Sequence, residues 1–447
     1  MLDQTFTAEN FRRIYDYENR KGEDLEGRFF PALQVETATI RQNREEIKAL
    51  KVSAESLDAA DYASQMEALL TARTALKESK DRSIDALLDE LSAEIRSTSY
   101  RLSLTAHTGP KGKTVYQIAD NAKAFFINKM VQRNINRLYK VKQSDRSRIV
   151  SGVRDAINNR FPLEIVRTDI EAFYESVDRA AISRKLDEDH LLSLSSKRYI
   201  RQILSEYGRL SGRDHGIPRG VGVSAYLAEL YLRTVDSGIR GIPGLVFYGR
   251  YVDDIIAIFA PPPTGRPASY LTEVAKVIQA HGLLANLQKT SHFEAPAIPA
   301  RFEYLGYRFS RTKDGCRISP SASKVWKYRR RVTLSFDDYF KAQQSNPRRA
   351  HRQLIARMKF LTGNTRLSNS KSHAVTGIYY NNASANDIYI FGCLDKFLHR
   401  KLAAITSTQL RARLMPMSFS RGFNHRHFHQ FTATQIGAIV KAWKHDA

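Results

Sequence analysis

The sequence of 447 residues predicts an α+β fold, in which a mixed central region is flanked by helical regions at both ends. Three observations lead to this prediction. Residues before 100 have apolar side chains at three- and four-residue spacing, the central part alternates β-prone runs with helical segments, and helical spacing returns from Ser321 onward. We therefore divide the chain into residues 1–100, 101–310 and 311–447.

The N-terminal region is predicted to be a helical hairpin or a short bundle. The stretch from Glu36 to about Arg96 is rich in strong helix formers. Residues 1–100 carry 14 basic and 20 acidic side chains, a net charge of −6. Because RNA would be repelled by this charge, the region is expected to dock another polymerase subunit or a second copy of the chain.

The central region is predicted to combine a sheet with helices. Strands are predicted for FPLEIVRTDI, for two runs of GLVFYGRYVDDIIAIFA joined near Gly249, and for a hairpin made by RFEYLGYRFSR and GCRISPS. Helices are predicted for RAAISRKLDED, SSKRYIRQILSEYG, SAYLAELYLRTVDSGI and SYLTEVAKVIQAHGL. From Ser321 onward the pattern is helical and very basic.

The charge distribution predicts a nucleic-acid partner. Residues after 100 carry 56 basic and 26 acidic side chains, and no Asp or Glu occurs between Tyr339 and Asn386. A basic surface of this density is typical of proteins that bind phosphate backbones. A basic surface that serves only solubility is the alternative interpretation.

Other features narrow the class of protein. Two cysteines, Cys316 and Cys393, are too few for a disulfide framework or a cysteine-rich zinc site. The first twenty residues lack the apolar segment of a secretory signal, and no window approaches the ~18 apolar residues that span a bilayer. We expect a cytoplasmic protein that does not contact membranes.

Three aspartates are the candidate catalytic residues. Asp253 and Asp254 interrupt an apolar, β-prone run, and Asp169 ends the predicted strand FPLEIVRTDI. Buried carboxylates are costly unless a cation neutralises them. Mg²⁺ accepts one or two carboxylates together with water and phosphate oxygens, and a pair of such ions activates phosphoryl transfer. The pattern favours a site for two Mg²⁺ ions, which Mn²⁺ can replace, and a nucleoside triphosphate.

Five segments in order resemble motifs A to E of the reverse transcriptases: TDIEAFYESVD, GIPRGVGVSAYLAELYL, YVDD, LANLQKT and FEYLGYRF. The resemblance covers roughly residues 100–310. It implies a right-hand polymerase fold, with fingers and palm in residues 101–310 and a thumb in the basic C-terminal region. The acidic N-terminal helices and the long helical tail are similar to abortive-infection and defence-associated bacterial enzymes, in particular the type 3 two-polymerase antiphage system.

The resemblance implies roles for the carboxylates and their neighbours. Asp169 and Asp253 correspond to the principal metal ligands, Asp254 to a third carboxylate, and Ile170 to a residue whose carbonyl contacts a metal ion. Lys289 corresponds to the motif D lysine, a candidate general acid for the pyrophosphate leaving group. There are purely structural alternatives. Asp253 and Asp254 could simply end a strand and cap a turn, and Lys289 could be a solvated surface residue.

The resemblance also implies a nucleotide-binding set and a primer grip. Tyr174 matches the aromatic gate that excludes a ribose 2′-OH, although a core role is the alternative. Arg219 replaces the more common glutamine, and a guanidinium there still suits a triphosphate. The remaining positions are Gly220 and Ser224 beside the nucleotide, Arg146 and Arg148 as a triphosphate or general RNA contact, and Tyr304, Leu305 and Gly306 in the primer grip.

The predicted function is RNA-directed DNA synthesis from dNTPs on a cognate non-coding RNA, in antiphage defence. A retron-type reverse transcriptase that makes a branched RNA–DNA hybrid is one alternative. A non-catalytic RNA-binding scaffold and an RNA polymerase of the same palm type are the others. The sequence identifies neither the template nor the priming group.

Overall fold

A computed structural model describes residues 2–97, 99–109, 112–142, 144–159, 161–265, 267–295, 301–313, 315–367 and 374–443. Helices account for 59% of the chain and strands for 14%. Among the described residues, the strands pair with one another in antiparallel fashion, and one isolated parallel bridge joins Asn364 to Phe428. The predicted mixture of helices and strands is therefore confirmed, while the three-part division at residues 100 and 310 stays a prediction.

The chain forms two compact units. The first unit comprises residues up to 142 together with 174–231. Its helices are α1 (Ala8–Arg20), α2 (Leu25–Phe29), α3 (Leu33–Val52), α4 (Ala59–Arg96) and α5 (Ala122–Tyr139), and its strands are β1 (Leu104–Thr108) and β2 (Thr114–Ile118). Its second segment contains helices α8 (Arg179–Glu188) and α9 (Leu194–Ser211). The short helix α7 (Phe173–Ser176) lies at the boundary between the two units in the chain.

The predicted helical hairpin in the N-terminal region is confirmed, since α3 and α4 pack against each other. Helix α4 begins after Asp58, whose side chain accepts a hydrogen bond from the Ala60 amide and so satisfies one of the free donors of the first turn. The C-terminal half of α4 buries Ile84, Leu88 and Leu91, which recur at the spacing of one helical face. This face packs α4 into the core of the first unit, against α1 and α5.

The second unit comprises residues 144–173 and 232–443 of the described chain. Helix α10 (Gly222–Arg240) crosses the boundary between the units, as α7 does. The strands of the central part of the second unit are β3 (Leu163–Asp169), β4 (Leu245–Tyr251), β5 (Asp254–Phe259), β6 (Ser291–Ala295), β7 (Arg301–Tyr304), β8 (Tyr307–Thr312) and β9 (Gly315–Pro320). The helices of this part are α6 (Arg146–Ile157) and α11 (Tyr270–Ala280). Its C-terminal elements are α12 (Ala322–Ala342), α13 (Pro347–Thr362), β10 (Asn364–Leu367), β11 (Ala374–Gly377), α14 (Tyr389–Leu402), α15 (Thr408–Leu414), α16 (Phe419–Asn424) and α17 (Ala433–Lys441).

Two antiparallel sheets build the central part of the second unit. One has the strand order β4-β5-β3-β6, and the other has the order β7-β8-β9. Val150 of α6, Ile165 of β3, Ile258 of β5 and Phe309 of β8 belong to one buried cluster. Helix and sheets therefore share a core, and this core fixes the ends of β3 and β5, where the candidate aspartates lie.

The C-terminal elements enclose a separate buried cluster that includes Phe336, Leu354, Phe391 and Phe419. The helical pattern from Ser321 onward corresponds to helices α12 to α17, and β10 and β11, which the sequence did not predict, form a two-stranded antiparallel sheet within this region. The predicted turn near Gly249 is also misplaced: Gly249 lies inside β4, paired with Ile256. No helix in the described part of the chain is long and apolar enough to cross a membrane.

Candidate functional site

The pairing of β3 with β5 brings two of the predicted aspartates together. Asp169 is the last residue of β3 and lies directly opposite Asp254, the first residue of β5. Facing residues of an antiparallel pair have Cα atoms about 4.5–5.5 Å apart. The amide of Ile170 continues the pairing by donating to the carbonyl of Asp253 at 3.1 Å. Asp169 and Asp254, which are 85 positions apart in the chain, thus share one end of the sheet.

Asp253 lies in the tight two-residue turn between β4 and β5. Val252, in that turn, has φ of 59°, a left-handed conformation that is unfavourable for a β-branched residue. The turn is held from within: the Arg250 guanidinium donates to the Val252 carbonyl at 2.9 Å. Such strain persists only where the surrounding structure fixes it, and it is common at functional sites.

The guanidinium of Arg250 is itself fixed by a buried ion pair. It donates to both carboxylate oxygens of Asp236, at 2.7 and 2.9 Å, and both residues are buried. The Tyr248 hydroxyl donates a third hydrogen bond to Asp236 at 2.6 Å. Sequence reasoning missed this network. The signal was present as a lone arginine inside the apolar run FYGRYVDD, since a buried cation needs an anionic partner.

Asp169 is buried, and its carboxylate is neutralised by a lysine. Its side chain accepts a hydrogen bond from Lys289, the predicted motif D residue, and its carbonyl accepts one from the Asn286 amide at 2.7 Å. The hydrogen bond to Asp169 is the largest cause that raises the pKa of Lys289, and partial desolvation opposes it. Lys289 is thus held as a cation at this end of the sheet.

Asp254 lies in a less compensated environment. Burial raises its pKa to about 6, the nearby charges of Asp169 and Asp253 act in the same direction, and the Arg167 charge opposes them. Its Oδ1 atom is buried without a hydrogen-bond partner among the described residues. Arg167 Nε is 3.7 Å away, which is an ion-pair distance but too long for a hydrogen bond. The arginine instead donates to the Glu303 carbonyl at 2.6 Å.

The carboxylates fit a divalent ion that takes many of its ligands from elsewhere. Within the described residues, no three His, Cys, Asp or Glu side chains converge as a ready-made metal cage. Mg²⁺ does not require one, because it commonly binds through one or two carboxylates and completes its shell with water and phosphate oxygens. The unpartnered buried Oδ1 of Asp254 and its facing neighbour Asp169 are donors of the kind that such an ion prefers.

Four predicted nucleotide-binding residues lie in the first unit. Arg219 forms a bidentate ion pair with Glu175, at 3.0 and 3.1 Å, and its guanidinium lies 4.8 Å from the centre of the Tyr174 ring. Tyr174 and Arg219 are therefore neighbours, and Glu175 is a partner that the sequence did not reveal. Gly220 has φ of 99°, and a Cβ there would be 2.7 Å from the Tyr116 carbonyl oxygen, so only glycine fits. Ser224 is buried, and its hydroxyl has no hydrogen-bond partner in the described chain.

Arg146 is placed at the predicted primer grip. Its guanidinium donates to the carbonyl of Leu305, at 3.1 Å from Nε, in the turn that Leu305 and Gly306 make with positive φ between β7 and β8. Tyr304, just before the turn, donates its hydroxyl to the Asp254 carbonyl at 2.8 Å. Arg148 is exposed on the first turn of α6. The triphosphate role of both arginines stays a prediction.

Comparisons with known proteins do not assign the chain to a family. No protein-family model matches it, and no curated protein does. Among solved structures it is similar to telomerase from Candida albicans in complex with a TWJ fragment of telomeric RNA, with 12% identity, a TM-score of 0.36, and coverage of 63% of this chain and 55% of that one.

Two structures of apo telomerase from Candida tropicalis are also similar. The one truncated from the C-terminal domain has 13% identity and a TM-score of 0.33, over 53% of this chain and 60% of that one. The other has 13% identity and a TM-score of 0.37, over 78% and 66%. The chain therefore spans between about half and two thirds of these telomerase chains. Similarity at these scores establishes neither a common fold nor a common activity.

Proposed function

We propose that this protein is an RNA-directed DNA polymerase with a right-hand arrangement of fingers, palm and thumb. The observation that carries the proposal is the register of β3 and β5, which sets Asp169 opposite Asp254 and beside Asp253. This placement of the three carboxylates agrees with the order of the five sequence motifs. An arrangement that left Asp169 distant from the Asp253 turn would have argued against the proposal.

The chain's own residues define the chemistry of the proposed site. Asp169 and Asp253 would hold two Mg²⁺ or Mn²⁺ ions, with Asp254 and the carbonyl of Ile170 beside them. When bound, such ions stabilise the charge that develops on the attacking and leaving oxygens of a phosphoryl transfer. Lys289 carries its proton on Nζ next to Asp169 and is the proposed donor to the leaving pyrophosphate.

The nucleotide and primer roles follow from the motif resemblance. Tyr174 is the proposed gate that favours dNTPs, and Arg219, Gly220 and Ser224 are its proposed neighbours around the nucleotide. The turn at Leu305 is the proposed primer grip, held by Arg146.

The proposed setting is bacterial antiphage defence, in the cytoplasm, with a cognate non-coding RNA as template. The type 3 two-polymerase system is the proposed class, and a second polymerase subunit or a second copy of the chain is the proposed protein partner. This placement depends on sequence similarity of the acidic N-terminal and basic C-terminal regions.

A primer-extension assay with labelled dNTPs tests the activity. Asp253→Asn should reduce incorporation by about 100-fold or more, because it removes a charge that acts in the transition state. The matched control is Asp155→Asn, an exposed aspartate of the same unit whose side chain is 64% accessible. The control should extend the primer at the rate of the natural sequence. Equal activity of Asp253→Asn and the natural protein would contradict the proposal.

The same assay separates the alternatives. A scaffold without activity would incorporate nothing in any variant, and an RNA polymerase would prefer rNTPs over dNTPs. Sequencing of the nucleic acid that copurifies would identify a retron-type enzyme by a short, unique DNA joined to RNA through a 2′,5′ linkage.

A further inference from the structure

The first unit contains a basic cavity that none of the proposed polymerase residues lines. It has a volume of about 530 Å³ and lies between α1 and α5. Six basic side chains and one acidic side chain line it, a net charge of +5. The basic residues are Arg13, Arg20, Lys21, Lys129, Arg133 and Arg137. This positive charge lies partly within the acidic N-terminal region, where the sequence average predicted repulsion of RNA.

Helical geometry concentrates the charge on one face. Lys129, Arg133 and Arg137 recur every four residues of α5, so their side chains share one side of that helix. Like charges at this spacing destabilise an isolated helix. The stability of the helix therefore does not explain why three cationic side chains recur at this spacing, whereas an anion bound between them does.

Neutralisation of the cavity by the protein itself is incomplete. Glu18 is buried and pairs with Lys129 at 2.8 Å and with Lys21 at 3.9 Å. Arg137 makes no hydrogen bond or ion pair with any residue that the structure describes. Burial lowers the pKa of Arg133, and the charges of Arg137 and Arg13 lower it further. Arg13 is paired with Glu9, and the Asp3 charge opposes the lowering of the Arg133 pKa, so the least compensated charges of the cavity are those of Arg133 and Arg137.

The rest of the lining suits a nucleoside. Tyr17 and Tyr226 contribute aromatic rings, and Gln132 and Asn136 contribute amide donors and acceptors. The Tyr17 ring is half exposed, and the Lys21 ammonium lies 4.0 Å from its centre. Aromatic rings stack with bases, and side-chain amides form hydrogen bonds with base edges.

We propose that this cavity binds a nucleoside polyphosphate, supplied either as a free nucleotide or as the 5′-triphosphate end of an RNA. A nucleic-acid backbone presents only one charge per phosphate and distributes these charges along the strand. A triphosphate gathers several charges within one small volume, as a cavity with net charge +5 requires. The volume lies within the range of about 300–1,000 Å³ that is usual for small-molecule sites.

Binding of two RNAs that differ only at the 5′ end tests the proposal. The full chain is titrated, in EDTA, with a 3′-labelled single-stranded RNA that carries either a 5′-triphosphate or a 5′-hydroxyl, and fluorescence anisotropy is measured. EDTA removes divalent ions that would attract phosphates to the aspartates. ATP and GTP are added as unlabelled competitors. The variant is Arg137→Gln, which leaves no partner unpaired, and the control is Arg209→Gln, an exposed arginine of the same unit paired with Glu206.

The natural protein and Arg209→Gln should bind the triphosphate RNA more tightly than the hydroxyl RNA. Arg137→Gln should weaken triphosphate binding about tenfold or more and leave hydroxyl RNA unaffected. Competition by ATP or GTP would identify a free nucleotide as a sufficient ligand, and its failure would assign the cavity to RNA ends. Equal affinity for the two RNAs, or an equal loss for both in Arg137→Gln, would overturn the proposal. Because no polymerisation is measured, this result is independent of the proposed activity.

Discussion

A single arginine links the strained turn to the body of the second unit. One terminal nitrogen of Arg250 donates to the carbonyl of Val252, while its Nε and its other terminal nitrogen donate to Asp236. The position of Asp253 therefore depends on a buried ion pair that lies outside the proposed set of metal ligands. We infer that this pair serves the geometry of the turn rather than net stability, since buried ion pairs often add little to stability.

Removing the cation should be strongly destabilising. Arg250→Met leaves the Asp236 carboxylate buried and unpaired, and we expect the free energy of unfolding to fall by about 3–5 kcal/mol. Arg154→Met, which breaks an exposed ion pair with Asp155, should cost about 0–1 kcal/mol. Urea unfolding followed by circular dichroism measures both. The double variant Arg250→Met with Asp236→Leu should recover part of the loss, and a lack of recovery would contradict this account.

Lys324 provides a residue-level prediction on pH. Burial, together with a smaller effect of the Arg146 charge, lowers the pKa of Lys324 to about 7 from its ordinary value of 10.5. Between these two pH values the unfolded chain holds a proton that the folded chain lacks, so this group makes stability rise with pH. In Lys324→Met the rise between pH 7 and pH 10 should be smaller than in the natural sequence. Parallel stability curves for the two proteins would show that Lys324 titrates normally.

At the scale of elements, the sequence predicted helices and strands well and the site's turn poorly. Glycine tolerates positive φ, so Gly249 was the natural choice for the turn. Gly249 instead allows α6 to approach β4 closely, because a Cβ at this position would lie 2.9 Å from the Ile149 side chain of α6. The left-handed residue is Val252, whose preference opposes that conformation. The tertiary contacts of Arg250 hold Val252 in the left-handed conformation, and no local sequence pattern predicts these contacts.

Two helical glycines of the C-terminal region make a matched prediction. In Gly422→Ala the new methyl group would overlap the backbone oxygen of Thr362, where α16 meets the end of α13. We expect a loss of about 1–3 kcal/mol. Gly437 of α17 has open space around it, so Gly437→Ala should stabilise the protein by about 0.4–1 kcal/mol through the unfolded state. Thermal unfolding of both variants measures the difference, and equal shifts would disprove the close approach.

For the whole molecule, the sequence predicted contacts between residues close together in the chain better than contacts between residues far apart. The α3–α4 hairpin and the strand content follow from local periodicity. The meeting of Asp169 with Asp254 was available only because ordered motifs suggested a known topology. The ion pair between Glu175 and Arg219, and the basic cavity of α1 and α5, join distant segments without any motif, and charge averaged over residues 1–100 concealed the cavity.

The uneven charge of the molecule leads to a last prediction, on salt. Arg348 and Arg349 are exposed at the start of α13, inside the stretch without acidic residues. If they contact RNA phosphates, replacing both with glutamine should reduce the slope of log affinity against log salt by up to about 0.7 for each residue, because fewer counterions are released. Anisotropy with a single-stranded RNA between about 50 and 200 mM KCl measures the slope.

The matched control changes the same number of charges in the acidic region. Arg41 and Arg44 are exposed on α3, where neighbouring acidic residues repel a phosphate backbone. Replacing both with glutamine should leave the slope unchanged, because no counterion release depends on them. If both pairs reduced the slope equally, binding would depend on net charge alone, and the C-terminal region would lose its assignment as the main RNA-binding surface.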